Sequence, residues 1–500
     1  MDYQAFVDGD KTLLVAPAGY GKTYTIVESL KYTTGRQLIL THTHAGVASI
    51  KDKIKESNIA SNQYNVETIS SFAQKYVNAF YTGTDIPDQE DSRKHHPFII
   101  DKAANIFKSN VIKNIIKATY DGLFVDEYQD CTKAQHELIL VLSESLRTHI
   151  LGDPLQGIFD FNGELVNFKT DLLGFDRVPD LSIPYRWYQE GNNSALGDKL
   201  KEIRSLLQQE AVVDFSSDSI EGLHIINVNP DDFRNPKSGY RVYLHKIISN
   251  PDNNPDFDSL LIIVPAYQKV KDNGQEIPKG DIKDRAQIRA QIDYSKSLTL
   301  IEAIDDKSFY SLAQKIDNLC LSIGRAVNPV KRIKKDVLDK IFNISQLAEW
   351  FNENGIKNKH ANTDKKKAAT LKSTIYFFVS KPFPSNMNNI ITELKNNLKI
   401  KYKREGLLYA ILNALKHSDL EGISVYEAMK NQRNVIRRSG RRIKGKCIGT
   451  TLLTKGLEFD TVAIIDADKF DCPKHLYVAL TRCCKNLFVF SSQNVLSPYN

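Results

Sequence analysis

The sequence predicts an α/β protein built on parallel sheets, and three observations carry the prediction. Short apolar, β-rich runs recur along the 500 residues, helix-like segments separate them, and several runs end in small or polar signature residues. The runs are TLLV (12–15), QLIL (37–40), LFV (123–125), THIL (148–151), SLLIIV (259–264), TVAII (461–465) and NLFVF (486–490), each of strand length. Between them lie segments such as Tyr24 to Tyr32 and Thr132 to Leu146, with the mixed polar and apolar content of helices. Ligands of open α/β sheets sit outside the carboxyl ends of the strands, so chemistry is expected there.

At about 150 residues per domain the length implies roughly three domains. Residues 1–175 read as a first α/β domain with a small helical insertion at about 74–120. Residues 176–284 and 446–500 read as a second. Residues 285–445 read as a basic, mainly helical insertion, with helix-like runs at 294–322 and 331–352. The loop SNPDNNPDFD (249–258) marks a surface connection. Hydrophobic content of 41% and charged content of 25% are ordinary for a soluble chain. The longest apolar run, Leu260 to Val264, falls far short of the roughly 18 residues a membrane span needs. MDYQAFVDGD is acidic and lacks an apolar core, so no secretory signal is expected. Six cysteines without a CxxC fit reduced thiols and a cytoplasmic location.

The net charge of +7 is unevenly spread. Residues 325–446 hold 27 Lys and Arg against 10 Asp and Glu, whereas the remainder holds 40 against 50. The densest stretch, RRSGRRIKGK, contains Arg437, Arg438, Arg441 and Arg442. Such a stretch is either a solvated helical surface or a contact surface for a phosphate backbone.

APAGYGKT follows TLLV and precedes a helical stretch, which is the context of a phosphate-binding loop. Ala16, Pro17, Ala18, Gly19, Tyr20 and Gly21 would wrap phosphate oxygens with backbone N–H groups. Lys22 would carry the charge for the β/γ-phosphates, and Thr23 a hydroxyl for Mg²⁺. Ala16 stands where the full pattern has glycine. VDEYQD supplies the second half at the end of LFV. Asp126 would hold Mg²⁺, and Glu127 would orient or deprotonate an attacking water. The two motifs together point to hydrolysis of a nucleoside triphosphate with Mg²⁺.

VDEYQDCTKAQ followed by LGDPLQGIFDFNG (151–163) resembles superfamily 1 helicases of the UvrD/Rep type. In the family's order, THTHAG (41–46) resembles motif Ia, VETISSFA (66–73) motif Ib and LSIPYRW (181–187) motif IV. IGTTLLTKGLEFDTVAII (448–465) resembles motif V, and HLYVALTRCCKNLFVF (475–490) motif VI. The resemblance covers residues 4–190 and 448–490. It implies two RecA-like parallel-sheet motor domains with helical insertions, and 3′→5′ movement along single-stranded DNA. It implies that the nucleotide is ATP, that Gln4 reads adenine, that Tyr185 stacks on it, and that Gly456 and Glu458 belong to the nucleotide set, with Glu458 facing the ribose. Gln156 would sense the γ-phosphate, and Arg186 and Arg482 would contact it from the second domain. Thr41, His42, Thr43, Ser71, Phe72, Phe161 and Asn162 would face the nucleic acid, with Phe161 stacking on a base. The chain departs from the family at His42 (often Phe), His44 (often Asn), Ser70 (usually His) and Asn162 (usually Arg).

The insertions are short for this family, and 18 residues follow Arg482, so a nuclease tail is not expected. This compact form resembles the Gabija anti-phage helicase subunit, which implies an OLD-family nuclease as partner beside single-stranded or partly duplex DNA. Two other readings stand beside the helicase: a DNA-stimulated ATPase that signals to a partner without efficient unwinding, and a non-catalytic nucleic-acid scaffold.

Overall fold

Six parallel strands form the first sheet of this computed structural model. They are β1 (Lys11–Val15), β2 (Gln37–Thr41), β3 (Tyr64–Thr68), β4 (Gly122–Val125), β5 (Arg147–Gly152) and β6 (Asp176–Arg177), ordered β3-β2-β4-β5-β1-β6. The structure describes all residues except 89–90, 160–162, 217–218, 266–268, 273–274, 279–284, 294–296, 303–305, 354, 440–442 and 500. For 92–93, 230, 234, 269–272, 275–278 and 437–439 it describes the backbone alone.

Successive residues of a strand point to opposite faces, and the two faces of this sheet have separate cores. Leu14, Ile39, Phe124 and Leu151 pack on one side with Phe6, Ile26 and Ile50. Leu13, Leu38, Leu40, Leu123, Val125 and Ile150 pack on the other with Phe72, Ile99, Phe107 and Leu138. Burial on both faces is why these strands read as continuous apolar runs. The covering helices are α1 (Tyr3–Asp8), α2 (Lys22–Ser29), α3 (His44–Glu56), α4 (Ile69–Phe80), α5 (Ser92–Phe107), α6 (Asn110–Thr119) and α7 (Lys133–Ser143). Thr132 and Gln135 start α7 with a reciprocal capping box.

The second sheet is also parallel and six-stranded. Its strands are β7 (Leu223–Asn227), β8 (Leu260–Val264), β9 (Thr299–Leu300), β10 (Lys446–Thr450), β11 (Phe459–Ile464) and β12 (Cys483–Ser491), ordered β9-β10-β8-β11-β12-β7. Helix α8 (Ser194–Gln208) precedes it. Every apolar run noted in the sequence falls on one strand of these two sheets, with only Ser259 and Ile465 beyond the strand ends. The runs did not reveal β3, β6, β7, β9 or β10. YNVET and LHIIN are only half-buried, KCIGT begins with lysine and ends in Gly-Thr, and two strands are only two residues long.

The chain divides into two compact units, Met1–Ile301 with Gly440–Asn500, and Glu302–Ser439. The insertion expected from residue 285 therefore begins later. Ile288, Ile292, Leu298 and Leu300 are buried in the core of the second sheet, which ties residues 285–301 to the first unit. The helix-like run expected at 294–322 is corrected for the same reason. Thr299 and Leu300 pair with Cys447 and Ile448, and helix starts only at Lys307, capped by Asp306.

The second unit is mainly helical, with one short antiparallel pair, Phe351–Asn352 with Gly355–Ile356, among the described residues. Its longer helices are α9 (Lys307–Ser322), α10 (Asn362–Ser380), α11 (Pro384–Asn396), α12 (Glu405–Glu421) and α13 (Val425–Ser439). It has its own core, including Phe309, Ile316, Leu371, Phe378, Met387, Ile391, Leu408 and Ile411. Arg404 secures its beginning by donating to Glu302, to Ser308 Oγ at 2.7 Å and to Asp306 at 2.8 Å. Asp317 accepts the Val425 and Tyr426 N–H groups at 2.8 and 2.9 Å and so caps α13. Among the described residues no helix is long and apolar enough to cross a membrane.

Candidate nucleotide-hydrolysis site

The adjacent strands β4, β5 and β1 bring three functional loops to one edge of the first sheet. The loop after β1 is anchored where Ala16 N donates to Gly152 O at 3.0 Å. Ala16 is fully buried and is not among the residues with positive φ, so its methyl is accommodated where the pattern has glycine. Gly19 does need to be glycine. Its φ is +74°, and a Cβ there would lie 2.7 Å from the Trp187 ring. Gly21, at φ +89°, turns the chain into α2, whose first two residues are Lys22 and Thr23. Lys22 Nζ donates to Ala16 O at 3.1 Å and lies within 3.5 Å of Pro17 O.

The second loop follows β4. Asp126 N donates to Leu40 O at 2.8 Å, and Asp126 Oδ1 accepts the Glu127 N–H at 2.9 Å. Glu127 has a left-handed backbone, φ 55°, and receives the Gln129 amide. The paired carboxylates titrate apart. Burial, then the adjacent Glu127 charge, push Asp126 up to about 7. Burial also opposes ionisation of Glu127, but Lys22 and Lys455 overcome it and hold the carboxyl low.

The third loop follows β5 and meets residues attached to the second sheet. Gln156 Nε2 donates to Asp153 Oδ2 at 2.7 Å, and Gln156 Oε1 accepts from Arg482 Nη2 at 3.1 Å. Arg482 lies just beyond α14 (Pro473–Leu480) and is steadied by Val478 O at 2.9 Å. Burial, then repulsion from Arg186, lowers the Arg482 guanidinium to about 10. Arg186 opens a wide helical turn, Arg186–Glu190, and donates to Thr481 O and Glu458. The geometry therefore joins Gln156 to Arg482, and Arg186 to Glu458. Tyr185 is 38% exposed beside the phosphate loop, its ring 3.6 Å from where a Gly21 Cβ would stand. Gly456, at φ +79°, makes the left-handed turn before Glu458.

Five residues of this cleft were not singled out from the sequence. Lys455 donates to Asp130 and to Gln156 O, with both charged side chains out of water. Arg204 donates to Asp153 at 2.9 Å and to Tyr477 Oη at 3.1 Å, and Tyr477 Oη accepts the phosphate-loop Ala18 N–H at 3.3 Å. Lys455, Asp130 and Tyr477 sit inside KGLEF, VDEYQD and YVALTR, but nothing local marks their partners.

Two of the strand-facing expectations, Phe72 and Thr41, need correction. Phe72 is 1% exposed and stacks on Phe107 at 5.7 Å, because the apolar face of α4 turns it inward with Ile69, Ala73 and Val77. It is a core residue and offers no base-stacking surface. Thr41 is likewise fully buried at the end of β2. The Thr43 hydroxyl caps α3 by accepting the Gly46 N–H at 3.0 Å. Ser71 gives its N–H to Thr68 and accepts the Thr68 hydroxyl at 2.8 Å. His42 Nε2 lies 3.2 Å from Cys131 Sγ, and burial lowers its imidazole to about 3, so it is neutral. Gln4 gives its amide to Asp8 at 3.0 Å, an exposed contact within α1. Phe161, Asn162, Arg441 and Arg442 lie outside the described residues. For Arg437 and Arg438 only the backbone, in the last turn of α13, is described.

Residues 96–171 match the UvrD/REP helicase N-terminal domain family. The chain is 23% identical over 464 residues to the "Probable DNA helicase II homolog" of Mycoplasma genitalium, an alignment covering 85% of this chain and 62% of that relative. The chain thus spans about three fifths of the relative's length. Among solved structures it is similar to the arterivirus nonstructural protein 10 helicase, at 16% identity over 46% of this chain and 45% of that one, with a TM-score of 0.26. The complex of that helicase with DNA is similar at 16% identity, 46% of each chain and a TM-score of 0.25. The family match and the Mycoplasma relative support a UvrD-like helicase.

Proposed function

We propose that the chain is an ATP-dependent DNA helicase or translocase that moves 3′ to 5′ on single-stranded DNA. The observation that carries this reading is Gln156, held at once by Asp153 of the first lobe and Arg482 of the second. A group that touches both lobes beside the phosphate loop suits a site whose hydrolysis depends on closure.

The residues divide the work by their chemistry. Lys22 and the loop N–H groups bind the β/γ-phosphates. Glu127, the ionised member of its pair, accepts the proton of the attacking water as the bond to the γ-phosphorus forms and the β–γ bridge breaks. Arg186 and Arg482 neutralise charge that spreads over the equatorial oxygens. Thr23 and Asp126 offer a hydroxyl and a carboxylate, oxygen donors that suit Mg²⁺, which keeps waters and takes phosphate oxygens as further ligands. When bound, that ion offsets the charge of the β- and γ-phosphates.

A second reading has a specific observation behind it. Thr41 and Phe72 are buried, and Thr43 and Ser71 already take part in the hydrogen bonds that cap α3 and α4, so four residues of motifs Ia and Ib are engaged within the fold. A DNA-stimulated ATPase that signals to a partner without efficient unwinding fits this arrangement. A cytoplasmic anti-phage role beside an OLD-family nuclease extends either reading, and co-purification with such a nuclease tests it. The deciding experiment measures ATP hydrolysis with and without single-stranded DNA, beside Lys22→Ala, and strand displacement under the same conditions. Stimulated hydrolysis with displacement fits the helicase, and stimulated hydrolysis without it fits the signalling ATPase. Hydrolysis that survives Lys22→Ala sinks both.

A further inference from the structure

We propose that the groove between α10 and α11 of the helical unit binds single-stranded DNA, as a site separate from the motor motifs. The inference rests on the reading that this chain works on DNA, and it adds a place where unpaired bases stack.

Ser373, Thr374 and Phe377 of α10 face Asn389, Thr392 and Asn396 of α11 across a cleft of about 430 Å³. The lining is of hydroxyls and amides, groups that both donate to and accept from base edges. The one carboxylate in the cleft, Glu393, already receives the Asn397 amide at 2.5 Å.

Phe377 is the aromatic ring in its lining, and further exposed rings lie on the same two helices. The inward residues of α10 are Ala368, Leu371, Ile375 and Phe378. Tyr376 and Phe377 point the other way, 50% and 49% exposed, and Phe383 at the start of α11 is 60% exposed. Half-exposed rings add little to the core, whereas every base presents a face to stack on one. Lys381 Nζ lies 5.5 Å from the Phe377 ring, and Lys395 Nζ lies 4.5 Å from that of Tyr409 on α12. Lys381 thus puts a cation beside the ring that lines the cleft, the pairing that a base on a phosphate backbone needs, whereas Lys395 donates to Tyr409 Oη at 3.1 Å outside the lining.

Charge decides the class of occupant. Residues 362–399 contain seven lysines and two acidic residues. That excess favours a polyanion, and the rings and amides favour one with unpaired bases over a duplex.

The test uses the full chain and a dT20 strand carrying 5-iodouracil. Irradiation and peptide mapping are expected to place cross-links at Tyr376 and Phe377. Fluorescence anisotropy is expected to show dT20 binding weakened at least about fivefold by Tyr376→Ala with Phe377→Ala, with a duplex of equal length little affected. Lys372→Gln with Lys381→Gln is expected to lower the salt slope by about 1.4, some 0.7 per phosphate contact. Circular dichroism checks that these half-exposed replacements leave the helices intact. Cross-links confined to 1–301 and 440–500, with the double variant's affinity within about twofold, overturn the groove and leave the motor reading standing. No cross-links anywhere, together with hydrolysis indifferent to DNA, overturn both. Loss of a co-purifying protein from the double variant at unchanged dT20 affinity overturns the proposal in favour of a protein interface.

Discussion

Lys455 and Asp130, 325 residues apart in sequence, form an ion pair whose side chains are only 3% and 1% exposed. It ties the loop after β4 to the segment after β10. Burial pushes the Asp130 carboxyl up to about 7, and Lys455 works against that. Removing one partner of such a pair leaves a buried charge uncompensated, at about 3–5 kcal/mol. Lys455→Met is therefore expected to lower stability by that much in urea unfolding and to reduce ATP turnover. Asp130→Asn with Lys455→Met should recover most of the stability. If the single variant unfolds like wild type, the pair is not closed in solution.

Glu127→Gln keeps the hydrogen-bonding shape and removes the proton acceptor. ATP binding should persist while turnover falls by about 10²–10⁴, the usual contribution of a positioned base. Equilibrium binding of a fluorescent nucleotide beside phosphate release reads both quantities. Turnover near wild type would show that the base is another group.

Arg482 reaches Gln156 with one arm of its fork while Val478 O steadies the other side. Arg482→Lys retains charge but not that geometry, so it should behave like Arg482→Ala, with hydrolysis lost and DNA binding retained. Recovery of turnover in the lysine variant would mean that charge alone suffices.

Phe72 packs among Phe107, Tyr76 and Tyr120. Phe72→Ala should cost about 3–5 kcal/mol of stability, and Phe72→Leu clearly less. Thermal melts followed by DNA titration separate this from a strand contact, since a base-stacking Phe72 would cost affinity with little change in melting.

His149 lies buried between Phe6 and Phe124, its Nδ1 2.8 Å from Thr12 Oγ1. Burial, then Arg147, lowers its imidazole to about 4. The folded state resists a proton that the unfolded chain accepts near 6.5. Stability is thus complete above pH about 6.5 and declines as pH falls toward about 4, by up to about 3 kcal/mol. Urea unfolding at pH 7.5 and 5.0 should show a larger acid loss for wild type than for His149→Gln. Equal losses would remove His149 from the acid response.

Much of the first unit was readable along the chain because its signals are local. TLLV, LFV and THIL are apolar on both faces, so they announce buried parallel strands. APAGYGKT and VDEYQD hold their groups within a few residues, so covalent spacing alone brings Lys22 to Thr23 and Asp126 to Glu127. The short strand β9 carried no such signal and is set by its pairing with β10. Motif resemblance placed Phe72 toward a strand, but the helical period of α4 and its neighbours turned it into the core. Residue types alone thus determined the parallel α/β class and the phosphate and carboxylate loops, through periodicity and close spacing. Packing of the two sheets alone decided which buried charges meet, Lys455 with Asp130 and Arg204 with Asp153 and Tyr477, because a partner hundreds of residues away is chosen by where the chain buries it.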